Sequence, residues 1–151
     1  MATYMQGALK AGENPSEYKN EVGYALFNQS RTLTSTADGA AVADTMELPA
    51  NSQIVNIIVD KLVNWVVGGG GATTIPVFAG STVGGVEYLP STDMASLARA
   101  ALVGANVTVA VAAAIANIGS NTTVHLTVDP NGTVLTTQGV FKFTVQYVIT
   151  Q

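Results

Sequence analysis

The stretch from Leu48 to Val67 is the longest apolar run bounded by turn signals, and it restricts the fold more than any other. Pro49, Asn51 and Ser52 make a corner in front of it, because proline presets φ and Asn or Ser side chains bond nearby backbone groups. A strand is predicted from about Gln53. Spacing by two puts Val55, Ile57, Val59, Val63, Trp65 and Val67 on one face, broken only by Lys61. Asn56, Asp60 and Asn64 interrupt the other face. Ile54, Ile58 and Leu62 recur at the helical spacing of four, but the β-branched residues around them are stiff at χ1 and favour extended backbone. One dry face and one half-wet face describe a central strand of a β-domain.

At 151 residues the chain fits one domain, large enough to bury a substantial core. It has no cysteine, so disulfides and thiolate metal sites are excluded. Charged residues make up 11% of it, against about 25% in soluble domains at large. With 48% hydrophobic residues, such a surface is expected to be covered by other protein. A net charge of −4 with six scattered Lys and Arg argues against direct nucleic-acid binding, which depends on cations that neutralise phosphates. Asp60 and Lys61 split the best candidate membrane span, so no membrane partner is expected. Met-Ala-Thr-Tyr-Met-Gln-Gly at the start has neither a basic beginning nor an apolar h-region, and synthesis in a cytoplasm is expected.

Residues 1–30 differ in character from residues 31–151, and we treat them as an N-terminal arm ahead of a β-sandwich domain. The arm mixes Glu13, Glu17, Glu21, Lys10 and Lys19 with spaced large apolar groups, Tyr4, Met5, Leu9, Tyr18, Tyr24 and Phe27. Gly7, Gly12, Pro15 and Gly23 forbid a long helix there. Either it is a tail or short helix lying on the domain, or it is an extended segment whose six apolar groups dock on a partner. From Arg31 onward the pattern is β-like, with an Asp38-Gly39 turn and a further strand from Ala41 to Leu48. The tetraglycine at Gly68–Gly71 reads as a turn. Thr73–Phe78 reads as a short strand that Pro76 consigns to an edge or bulge, and Thr82–Leu89 as a strand weakened by Gly84-Gly85.

One short helix is expected after Pro90, capped by Ser91 or Thr92, with Met94, Leu97, Ala98, Ala101 and Leu102 at helical spacing up to Gly104. Val107, Val109, Val111 and Ile115 suggest a buried strand. Thr122–Asp129 alternates Val124, Leu126 and Val128 inward with Thr123, His125 and Thr127 outward, before an Asp129-Pro130-Asn131-Gly132 turn. Val140–Thr150 is the cleanest strand, with Phe141, Phe143, Val145, Tyr147 and Ile149 on one face, and it should lie near the centre of a sheet. The fold class is therefore all-β: an antiparallel sandwich, jelly-roll-like, with an extended arm and one short helix.

No catalytic, cofactor or metal site assembles from sequence. His125 is the single histidine and sits among threonines on a polar face, the place of a surface histidine. Asp129 and Asn131 start like a calcium loop, but Val134 and Val140 stand where such a loop needs Gly and Glu. No Gly-Lys-Ser/Thr follows the tetraglycine, as a phosphate cradle requires. Asp60, Glu87, Asp93 and Asp129 fall in different elements with no spacing that pairs them. Trp65 with Tyr88 or Tyr147 has the makings of a sugar-stacking platform, but Trp65 falls on the apolar face, which favours core packing.

Several phrases point to a family. Leu-Pro-Ala-Asn-Ser-Gln-Ile-Val at 48–55, the amphipathic strand after it, the Gly-rich hairpin, Glu87-Tyr88-Leu89 and the closing Gly139-Val140-Phe141-Lys142-Phe143-Thr144-Val145-Gln146-Tyr147-Val148 resemble small β-sandwich virion proteins of tailed bacteriophages. That group includes capsid decoration (cement) proteins and related head or tail subunits. The resemblance covers roughly residues 44–151 and leaves the arm without a counterpart. It implies a non-enzymatic structural role on the capsid surface, with the major capsid protein and two further copies of the chain, as a homotrimer, for partners. Tail-tube, tail-terminator or head-tail connector subunits and glycan-binding fibre modules are the competing readings.

Overall fold

The structure, a computed structural model that describes residues 25–68, 74–101, 117–118 and 122–149, sets β11 (Val140–Ile149) beside β3 (Ser52–Val63) in the middle of one antiparallel sheet. β1 (Leu26–Thr34) lies on the far side of β11, and β7 (Arg99–Ala101) and β8 (Asn117–Ile118) lie on the far side of β3. A second antiparallel sheet runs β2 (Val42–Leu48), β9 (Thr122–Val128), β5 (Pro76–Gly80), β6 (Leu89–Asp93). The short strands β4 (Val66–Val67) and β10 (Leu135–Thr137) pair with each other. Taken in chain order, the principal strands of the two sheets stand 1-8-3-6 against 2-7-4-5, which is the jelly-roll order.

Between the sheets lies one apolar cluster. The first sheet contributes Ile54, Ile57, Val59, Phe141, Phe143 and Val145, and the second contributes Met46, Leu48, Val77, Val124, Leu126 and Val128. Burying side chains of this size stabilises by about 1.5–3 kcal/mol each. The expected alternation holds for β11 from Phe141 to Tyr147, with Phe141, Phe143, Val145 and Tyr147 buried and Ile149 at the strand end exposed. On β9 Val124, Leu126 and Val128 are buried as expected, but so is Thr127, expected outward. The Asn131-Gly132 turn is also present, with both residues at positive φ and Thr133 N bonded to Pro130 O. It packs on the Asp38-Gly39 turn, where Gly132 N donates to Gly39 O at 2.9 Å. Gly39 is at φ 80°, and a Cβ there would overlap the backbone of Gly132 and Thr133.

β3 departs from its expected pattern. Gln146 stands opposite Asn56 but Tyr147 opposite Ile54, so Val55 is an extra residue; Phe141 stands opposite Lys61 and Val140 opposite Val63, so Leu62 is another. Each two-for-one bulge changes which face the strand presents. Ile54 therefore joins Ile57 and Val59 inside, while Val55 and Val63 are 39% and 43% exposed. The strand stops at Val63, and Trp65 and Val67 pack on the core from beyond it.

The helix expected after Pro90 is absent among the described residues, and β6, a turn and β7 take its place. Asp93 Oδ1 accepts from both Ala95 N and Ile75 N at 3.0 Å, which folds the chain back at once. Lys61 Nζ binds the Met94 and Ala95 carbonyls, and Lys61 N binds Ala98 O, so acceptors a helix would have used are taken by β3. Thr82–Tyr88 is likewise a loop, not a strand: Gly84 has φ 79° and Gly85 N closes a turn onto Thr82 O. β5 lies inside its sheet instead of at the edge, and Pro76 is tolerated because it is the first residue of the strand. The strand expected around Val107–Ile115 lies outside the described residues.

Candidate interaction surface

The outer face of the first sheet is graded along its length. One cross-strand row, Thr32–Lys142–Asp60–Arg99, carries its charges, and Arg99 Nε donates to Asp60 Oδ1 at 2.5 Å. That bond keeps the Arg99 guanidinium charged even above its ordinary range. The next rows are Ser30–Thr144–Ile58–Ala101 and Asn28–Gln146–Asn56. Ser30 Oγ lies 3.0 Å from Thr144 Oγ1, and Gln146 Nε2 donates to Asn28 Oδ1 at 2.9 Å. The last row, Leu26–Val148–Gln53, is apolar apart from its glutamine and sits where the chain enters β1. Exposed Val55 adjoins it.

On the side of the sandwich where β1 and β2 form the sheet edges, β1 side chains reach across to the second sheet. Gln29 Nε2 donates to Glu47 O and to the Tyr147 hydroxyl, and Arg31 Nε lies 3.5 Å from Thr45 O and 3.7 Å from Asp44 Oδ2. Phe27 stacks on Tyr147, with ring centroids 5.5 Å apart, and still exposes 41% of its surface. It is the one residue of the six expected at a partner interface that can be placed. Tyr4, Met5, Leu9, Tyr18 and Tyr24 lie outside the described residues. Residue 30, expected to end the arm, lies within β1, whose pairing with β11 begins at Leu26.

The acidic residues considered for chemistry are each engaged in structure. Asp60 holds Arg99, and Asp93 holds the turn after β6. Asp129 accepts from Asn131 N at 2.8 Å. Glu87 folds back over Gly80 and accepts from Ser81 N, and hydrogen bonds led by the one to its own backbone N–H hold its carboxyl below the ordinary range. Asp38 is lowered too, first by the Thr36 hydroxyl and then by Ala40 N. His125 is half-buried, more enclosed than a surface histidine, and its Nδ1 has no partner among the described residues. Trp65 packs at 6.0 Å from Phe141 with Lys61 Nζ 5.0 Å above its ring, so the core and a cation occupy it. Among the described residues no three His, Asp or Glu side chains come together as metal ligands, and no helix is long and apolar enough to cross a membrane.

Sequence reasoning missed part of this surface. Leu62, Val63, Val66 and Val134 are exposed at the end opposite Leu26. For Leu62, Val63 and Val66 the signal was an apolar run that outlasted its strand; Val134 lies outside that run.

Fold and surface together define a jelly-roll sandwich with a graded outer face. No family model and no curated protein matches the chain. Among solved structures it is similar to a chain of the capsid asymmetric unit of cyanophage Pam1, with TM-score 0.58 and 14% identity, covering 85% of this chain and 87% of that one. It is also similar to a chain of the capsid of Ralstonia phage GP4, at TM-score 0.48 and 18% identity over 83% and 86% of the two chains. A chain of the acidic stable capsid structure of Helicobacter pylori bacteriophage KHP30 follows, at 0.45 and 14% over 82% and 93%. The resemblance read from the strand and turn phrases thus extends to three dimensions: the chain shares its fold with a phage capsid component.

Proposed function

We infer that the protein is a structural virion protein, a decoration or cement subunit that binds and stabilises the capsid shell of a phage. The observation that carries this reading is the fold shared, over most of both chains, with a chain of the Pam1 capsid asymmetric unit. The graded outer face and the low charge of 11% support it, because permanent shells bury broad, charge-poor interfaces of about 2,000 Å² or more. Stabilisation then comes from added contact area: anything that binds only the assembled shell shifts its equilibrium away from disassembly. Sandwiches associate on the capsid surface as the trimer that the resemblance implies. The N-terminal segment lies across neighbouring major capsid protein subunits, anchored by Tyr4, Met5, Leu9, Tyr18, Tyr24 and Phe27. Synthesis takes place in the host cytoplasm and no reaction is catalysed.

Adding the purified chain to shells of the matching major capsid protein tests the reading. Saturable binding and a raised shell melting temperature are expected, and deletion of residues 1–24, which spares β1, should cut occupancy at least tenfold. A full-length chain that ignores shells, or that images as a ring on the tail, overturns it. Full occupancy without residues 1–24 overturns the role given to the arm.

A further inference from the structure

The two large sheets end in four edges, and three of them carry the devices that stop a strand from recruiting another chain. β7 and β8, which share one edge beside β3, have 3 and 2 residues among those described. β6 has 5, among them Pro90, which has no N–H to donate, and its register slips against β5. β2 carries Asp44 and Glu47, and its Thr45 and Glu47 carbonyls receive the Arg31 and Gln29 side chains. β1 differs on every count. It is 9 residues long, contains no proline, pairs with β11 through all of them without a slip, and has Arg31 as its only charge. No strand borders its other edge among the described residues, and of its side chains only Leu33 is buried.

We propose that this edge pairs with β1 of a second copy, antiparallel, about a two-fold axis at Ser30, so that the first sheet runs on through both subunits. Opposed residues in such a pair must face the same side, so the axis has to pass through a residue rather than between two. At Ser30 it sets Phe27 against Leu33, Gln29 against Arg31, Asn28 against Thr32 and Leu26 against Thr34. Phe27, 41% exposed, is covered twice over by the partner strand at Leu33, whose own side chain is already in the core, and no like charges meet. An axis at Arg31 would oppose two guanidiniums, and one at Gln29 would oppose Phe27 and Arg31. A second copy suits this edge better than the chain's own residues 1–24, where Gly12, Pro15 and Gly23 interrupt any strand. The contact is self-complementary, as a two-fold interface requires, and it leaves the other faces free for a three-fold one. It needs no shell, so it stands or falls apart from the virion role.

The absence of cysteine makes the test direct. Residues opposed at the axis of an antiparallel pair have Cα atoms about 4.5–5.5 Å apart, within the span a disulfide bridges. Ser30 is exposed, so Ser30→Cys should fold normally. Under mild oxidation of the purified full-length chain, Ser30→Cys should run mostly as a covalent pair. Thr32→Cys alone should stay monomeric, and Asn28→Cys combined with Thr32→Cys should link again. Linkage of Ser30→Cys no greater than that of Thr32→Cys overturns the proposal. Linkage that develops only after residues 1–24 are removed overturns it as well, since the chain's own segment would then hold the edge.

Discussion

β3 and β11 are neighbours in one sheet, share a core and are similarly rich in β-branched and aromatic residues, yet only β11 keeps its side-chain period from end to end. β11 buries Phe141, Phe143, Val145 and Tyr147 without interruption. β3 buries Ile54, skips Val55 and Asn56, and resumes at Ile57. One strand of the pair is the ruler and the other is fitted to it. The bulges let a chain with apolar residues at nearly every position choose which of them go inside.

The largest predicted effect comes from breaking the ruler. Deleting Thr144 would turn the residues on one side of the cut to the opposite face, and circular dichroism should find the variant unfolded. Phe143→Ala removes a fully buried ring and should cost ~3–5 kcal/mol in denaturant unfolding. Ile57→Ala, opposite Val145 on the bulged strand, should cost ~2–5 kcal/mol, equal in kind to a loss on β11. Deleting Val55 sharpens the contrast, because it places Ile54, Asn56 and Ile57 in simple alternation and restores regular pairing with β11 from Ser52 as far as Lys61. That variant should keep a cooperative transition, and unfolding it as thoroughly as the Thr144 deletion would sink the bulge assignment. Smallest of all, Val55→Thr should change stability by less than ~0.5 kcal/mol, although a strand of strict period would bury that position with Ile57.

The neighbouring edges β1 and β2 repeat the lesson at the surface. β2 spends its edge carbonyls on Gln29 and Arg31, and no strand borders the outer edge of β1 among the described residues. Neither fact could be read from order along the chain, because Gln29 and Glu47 belong to different sheets. The charged row Thr32–Lys142–Asp60–Arg99 is likewise assembled from four strands. Phe27 was legible as one of the spaced large apolar groups of the N-terminal segment, and its stacking on Tyr147 was not.

Local rules were enough where one residue's preference met no competitor. Alternation over Val140–Ile149 and Thr122–Val128 makes two strands, and Asn131-Gly132 at positive φ makes the turn that its side chains favour. Short alternating segments between Gly-rich turns marked an antiparallel all-β sandwich. Where two local solutions were close in energy, distant partners chose between them. Asp93 and Lys61 claimed the backbone groups after Pro90 and replaced a helix with a turn and a strand; β11 imposed its spacing on β3 through hydrogen bonds that admit an extra residue but no misplaced Phe143. Backbone hydrogen bonds and burial are settled across the sheet, and a run of residues carries no record of which neighbour will lie beside it.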